Sequence, residues 1–161
     1  MLDSMDSLMV NGHRFDLSRA DVGDVPSLVA LLSDDALGAA RESKDMASYV
    51  SAFHEIDDDD HQLLLVVRDP DGGIVGTMQL TIVPGLSRGG SSRLQIEAVR
   101  LAASTRGGGL GSALFDWAHD YGRRRGATLA QLTSDKTRSE AHRFYAEAGY
   151  EASHEGFKRR L

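Results

Sequence analysis

Leu94-Gln95-Ile96-Glu97-Ala98-Val99-Arg100-Leu101 leads, two residues later, into Ser104-Thr105-Arg106-Gly107-Gly108-Gly109-Leu110-Gly111-Ser112-Ala113-Leu114. The first run is extended and β-prone. Beyond the glycines, Leu110, Leu114, Trp117, Ala118 and Tyr121 fall at i, i+4, i+7, i+8 and i+11, the stripe of a helix with one buried face. The chain therefore reads strand, glycine-rich turn, helix. Such a turn exposes backbone N–H groups and aims them, with the positive end of the helix dipole, at one spot. That spot suits a phosphate or pyrophosphate. No Gly-Lys-Ser/Thr follows, so this is not a Walker loop. From Gly107 or Gly109 no third glycine falls at the dinucleotide position, and the next strand ends without a ribose-binding acid. The pattern that fits is Arg-x-x-Gly-x-Gly, at Arg106, Gly109 and Gly111.

Working outward, 161 residues make one domain, 1–161, with room for a core. Hydrophobic content of 41% and charged content of 26% are those of a soluble globular chain. A net charge of −6 argues against non-specific nucleic-acid binding and against an anionic membrane surface. The absence of cysteine excludes disulfides, thiolate metal sites and a cysteine nucleophile. No histidine and carboxylate set has metal-ligand spacing, so no metal is expected. No stretch approaches the ~18 apolar residues of a membrane span, and the N-terminus has no basic signal region. A cytoplasmic location is expected, with no membrane or nucleic-acid partner.

Residues 1–11 read as a loose leader. Arg14 to Ala20 alternates as a first strand. A helix begins at Asp21 or Asp24, with Pro26 in its first turn, and ends near Asp34. Residues 35–43 are ambiguous; Lys44 to Glu55 reads as a second helix. The acids Asp57 to Asp60 read as a solvated loop, since consecutive carboxylates do not match a calcium loop. Gln62 to Arg68 and Ile74 to Val83 flank the turn Asp69-Pro70-Asp71-Gly72-Gly73, a hairpin. Arg93 to Leu101 is the next strand. Arg123-Arg124-Arg125-Gly126 stops the helix after the glycine loop. Thr128 to Thr133 is a strand, Ser139 to Ala148 a helix stopped by Gly149, and Tyr150 to Leu161 one or two closing strands.

The loop Arg106–Gly111 after Ile96-Glu97-Ala98-Val99, with Ala141-His142-Arg143-Phe144-Tyr145-Ala146-Glu147-Ala148-Gly149-Tyr150 downstream, resembles the GNAT superfamily of N-acetyltransferases. The second segment is similar to the family's Ala-x-x-Phe-Tyr-x-x-x-Gly-Phe. The resemblance covers about residues 12–161 and is strongest from Arg93 onward. From Ser134 to Phe157 the chain also resembles aminoalkylphosphonate N-acetyltransferases. The resemblance implies an α/β (α+β) fold: a mixed, mostly antiparallel twisted sheet of about six to seven strands with about four helices. It also implies acetyl-CoA as co-substrate, an amine acceptor on a small molecule or peptide, and a homodimer. The pyrophosphate would lie on Arg106, Gly107, Gly108, Gly109, Leu110, Gly111 and Ser112. The pantetheine arm would lie along the backbone of Val99 and Leu101. Arg138 stands where many relatives carry an asparagine that touches the cofactor.

Acetyl transfer to an amine needs a base, because an alkyl ammonium has a pKa of about 10.4, and an acid for the leaving thiolate. By resemblance Tyr145 is the acid; its bland alternative is a core aromatic. Adjacent aromatics on a helix diverge, so one of Phe144 and Tyr145 should face the core and the other the site. Glu97 is the candidate base, directly or through water. Two residues before Val99, it is expected on the same strand face. Its alternative is an edge charge paired to Arg93. Gln95 shares that face and could orient substrate, while Arg93 and Arg88 could meet an anionic acceptor group. His119 reads as inert, on the polar side of its helix. Acetyltransferase, non-enzymatic acyl-CoA-binding module and nucleotide-binding domain are the three classes in play; the loop disfavours the last.

Overall fold

Strand alternation decides which helix covers which face of the sheet. In the computed structural model, which describes residues 4–161, six strands lie in chain order: β1 (Asp6–Val10), β2 (His13–Arg19), β3 (Gln62–Arg68), β4 (Ile74–Val83), β5 (Ser92–Leu101) and β6 (Ala127–Gln131). Neighbours from β1 to β5 are antiparallel, and β6 alone is parallel to β5. The mixed, mostly antiparallel sheet is the expected one. Leu63, Leu65 and Val67 join Met78, Leu80, Leu94 and Ile96 beneath α5 (Leu110–Arg124). The opposite side chain, Val66, packs with Val25 of α1 (Val25–Leu32) and Phe53 of α3 (Met46–Asp57). Burial on both faces explains why β3 reads as an unbroken apolar run.

The remaining helices are α2 (Ala36–Arg41), the single turn α4 (Ser87–Gly90) and α6 (Ser139–Glu147). The four helices of eight residues or more are those the periodicity predicts. Region 35–43 holds α2, capped by Asp35, whose carboxylate accepts the Gly38 N–H at 2.6 Å. No helix among the described residues is long and apolar enough to cross a membrane.

Expectations at the two ends of the chain fail. Of the expected loose leader, residues 1–3 lie outside the described residues, but Asp6–Val10 is a strand. Asn11 and Gly12, at φ 51° and 79°, form the tight turn that pairs it with β2. The Trp117 indole N–H donates to Asp6 at 2.9 Å and ties this strand to α5. At the other end, Tyr150 to Leu161 forms no strand; Phe157 and Leu161 are exposed. Those two are the segment's large apolar residues after Tyr150, so it has no alternating face to bury.

Helix α6 is held by an aromatic cluster around Phe115 of α5. Ring centroids of Phe144, Tyr145 and Tyr150 lie 5.2, 5.7 and 6.2 Å from it. Phe144 and Tyr145 therefore both lay their rings against the core. His119, expected to be inert on a polar face, is half-buried and shares a 2.7 Å hydrogen bond with the Tyr150 hydroxyl. Burial lowers the His119 pKa and pushes that of Tyr150 up to about 12.

Arg68 donates to the Asp24 carboxylate at 2.7 Å, with side-chain exposures of 15% and 9%. Removing one partner of a buried pair strands the other, so Arg68→Met is expected to cost about 3 kcal/mol in urea unfolding. Arg14→Met, which breaks the exposed pair with Asp16, is expected to cost under about 1 kcal/mol. A second expectation concerns Tyr150. Its pKa is raised on folding, so its contribution is full below the ordinary tyrosine value near ~10 and is lost as pH climbs toward about 12. Tyrosinate absorbance of the folded protein should show a late step near pH 12 that Tyr150→Phe removes.

Candidate functional site

The site begins where two parallel strands part. β5 and β6 pair from Ser92 opposite Ala127 to Gln95 opposite Gln131, with one irregularity after Ser92. β6 stops there, while β5 runs on to Leu101. From Ile96 to Leu101 the edge of β5 that had faced β6 has no strand against it, which opens a V-shaped notch. Gln131 closes the apex by donating its side-chain amide to Gln95 Oε1 at 2.6 Å. Gln95, expected to orient substrate, thus cross-links the apex. Arg93 lies in the paired part of β5, six residues before Val99 and so about 20 Å along the strand. The structure does not bring it to the notch.

A bulge reshapes β5 inside the notch. Glu97 is opposite Gln79 and Arg100 opposite Thr77, so Met78 faces both Ala98 and Val99. Ala98 has φ 52°, a left-handed conformation that costs an L-residue about 1–2 kcal/mol. The extra residue breaks the alternation. Glu97 shares the α1/α3 face with Gln79, whereas Val99 and Leu101 pack on the α5 side. The expectation that Glu97 and Val99 share a face is therefore corrected.

At the end of the notch lies the glycine loop. Gly107 and Gly109 have φ 76° and 87°, so glycine is required by the backbone at both. Gly109 is the N-cap of α5 and supplies no side-chain cap. The Ala113 N–H is the first of the helix to find a carbonyl, that of Gly109 at 3.1 Å. The N–H groups of Leu110, Gly111 and Ser112 consequently project from the positive end of a fifteen-residue helix. The loop is braced from behind by Asn11, which donates to the Gly108 carbonyl at 2.7 Å. Sequence reasoning missed Asn11, which is 97 residues away. Arg106, expected to add charge to the cradle, points elsewhere. It donates to the Leu101 carbonyl at 3.1 Å and to Asp34 at 3.2 Å.

Beside the notch stands an ion cluster that sequence reasoning also missed. Asp35 accepts from Arg138 at 2.9 Å, and Arg100 Nε lies 3.9 Å from the same oxygen. Asp35 has a lowered pKa, chiefly through the Gly38 N–H and then through Arg100, Arg138 and Arg106, against the opposing cost of burial. Arg100 is 16% exposed and donates to the Val99 carbonyl at 2.8 Å. Tyr145 faces this cluster electrostatically. Burial raises its pKa, while Arg138 and Arg100 pull it down. The phenol stays protonated at neutral pH and can donate. His142 is hydrogen-bonded at 2.9 Å to the Asp135 carbonyl, on the exposed loop before α6. The open strand edge leads to an anion-ready helix terminus, and the protonated phenol lies within electrostatic reach of Arg100 on that strand and of Arg138.

Comparison with known proteins agrees with this geometry. Residues 26–150 match the model of the acetyltransferase (GNAT) family. An aminoalkylphosphonate N-acetyltransferase of Salmonella typhimurium is 37% identical over 67 residues, which is 42% of this chain and 44% of that protein. Among solved structures, a protein described as a transcriptional regulator from Bacillus halodurans is 42% identical, with a TM-score of 0.86 over 91% of this chain and 99% of that one. A Trypanosoma brucei acetyltransferase is 26% identical, with a TM-score of 0.73 over 91% and 99%. With the family model matching well over half of its length, the chain belongs to the GNAT acetyltransferase family.

Proposed function

We propose that the protein moves an acetyl group from acetyl-CoA to a primary amine by direct attack in a ternary complex. The observation that carries this reading is the unpaired edge of β5, which ends in a glycine loop and the N-terminus of α5. That geometry suits an extended amide-bearing arm with a pyrophosphate at one end. The arm would take the place of the side chains now bonded to the Val99 and Leu101 carbonyls, Arg100 and Arg106. The N–H groups of Gly107 to Ser112 would hold the pyrophosphate. Arg138, a cation paired to Asp35, cannot reproduce an asparagine amide and contributes charge at the edge of the cleft.

The chemistry follows. The amine arrives protonated, and Glu97 takes that proton directly or through a water. The free nitrogen attacks the thioester carbon, while a backbone N–H of the bulged β5 segment polarises the carbonyl oxygen. The carbon–sulfur bond breaks, Tyr145 gives its proton to the departing sulfur, and the attacking nitrogen sheds its second proton to the tyrosinate, which restores the phenol. The products are the acetylated amine and free CoA. A cytoplasmic protein, working as a homodimer on a small-molecule or peptide amine, completes the proposal. The 67-residue match to the aminoalkylphosphonate enzyme is too short to carry its acceptor across.

A second reading, a non-enzymatic acyl-CoA-binding module, is favoured by the Bacillus halodurans neighbour described as a transcriptional regulator. Tyr145 separates the two, since a binder needs the loop but not the acid. Tyr145→Phe is expected to lower kcat about a hundredfold, the typical scale of one acid–base group, with acetyl-CoA affinity unchanged in calorimetry. Turnover equal to wild type would remove Tyr145 from the mechanism. An absence of acetyl-CoA-dependent thiol release with every amine tried would favour the binding module.

A further inference from the structure

The second face of the sheet holds a cavity of about 190 Å³ between α1, α3 and the strands. Its walls include Leu28, Val29, Ala52, Phe53 and Leu64, and it is partly open to solvent. Ala98, the bulge residue of β5, forms part of its lining. A single strand of backbone therefore separates this cavity from the notch edge at Val99. No charged side chain lines it.

Its polar neighbours have their hydrogen bonds within the protein. Thr77 donates its hydroxyl to the Leu65 carbonyl at 2.9 Å. Gln79 donates its side-chain amide to Gln62 at 2.8 Å. The Tyr49 hydroxyl donates to Glu42 at 2.5 Å and accepts from the Ser43 N–H at 2.8 Å, which leaves its ring to the cavity. A second ammonium or a phosphonate placed here would lose its water without gaining a partner, whereas an apolar group loses nothing. An apolar cavity of about 150 Å³ holds one benzene-sized ring. This one has room for such a ring and a short stem.

We infer that this cavity is the acceptor's side-chain pocket and that the acceptor is a primary amine bearing one compact apolar group, such as an arylalkylamine. The apolar group fills the space between α1 and α3, and the amine end reaches the strand edge at Ala98, with Glu97 on the same face of the sheet. The inference rests on the acetyl-transfer reading above and adds the substrate class to it. The strained bulge at Ala98 then has a use: it sets the cavity lining against the cofactor edge.

The test measures thiol release with phenethylamine, putrescine and aminoethylphosphonate as acceptors, beside calorimetry with acetyl-CoA. Phenethylamine is expected to have a kcat/KM at least about tenfold above either charged competitor. Ala52→Trp, at the exposed rim of α3, narrows the cavity and should erase that preference while acetyl-CoA still binds. Val29→Phe, from the α1 side, should act in the same direction and guards against a fold defect in the first variant. Preference for putrescine or aminoethylphosphonate, or an unchanged preference in both folded variants, overturns the inference. So does thiol release with other primary amines but with none of these three. Failure to bind acetyl-CoA at all instead overturns the acetyl-transfer reading on which the inference rests.

Discussion

The site depends on one fact of strand pairing: β5 loses its second neighbour after Gln95. A strand inside a sheet satisfies its backbone groups on both sides, whereas one with a bare edge is a template for any extended chain that offers complementary amides. Here the bare edge is short and internal. It is flanked by β6 at its start and by the glycine loop at its end, so it is not a general aggregation hazard. Two arginines, Arg100 and Arg106, already bond to carbonyls in this stretch. They satisfy those carbonyls without a ligand, and they belong to side chains long enough to swing away.

The same two arginines link the notch to the other face of the molecule. Arg106 reaches Asp34 and Arg100 approaches Asp35, at the turn between α1 and α2. Asp35 also caps α2 and accepts from Arg138 at the start of α6. One short acidic turn thus touches the glycine loop, the bulged strand and the helix that carries Tyr145. The exposed pair at Arg106 contributes little to stability, and its role is geometric. The bulge at Ala98 is strained, but β5 is held on the β4 side both before and after it, so the surrounding pairing fixes it in place.

Much of this was legible in the residues. The apolar run of β3, the stripe on α5 and the helix stop before Gly126 each carry a period or a turn residue that only one element satisfies. The turn before α5 was legible because left-handed backbone favours glycine, and Gly107 and Gly109 both adopt it. Strand β1 was missed although Asn11-Gly12 is a strong hairpin signal; Asp6–Val10 is short and only partly buried, so its pattern is faint. The bulge at Ala98 was not legible at all. Alanine carries no left-handed preference, and the slip arises from pairing with β4, a partner twenty residues away in sequence. For the same reason Glu97 and Val99, two residues apart, face opposite sides of the sheet. The Asp35 cluster joins three distant segments, which no local window contains. The tail after Tyr150 carries no alternation of its own that could make it a strand.

The proposed mechanism stands on acetyl-CoA lying along the open edge of β5 and on the N-terminus of α5. Amide hydrogen exchange, followed with and without acetyl-CoA, tests it most directly. The account predicts new protection confined to the notch side of Ile96 to Leu101 and to Gly107 through Ser112, with β3 unchanged. Binding that protects some other surface and leaves these amides exchanging as before would contradict it.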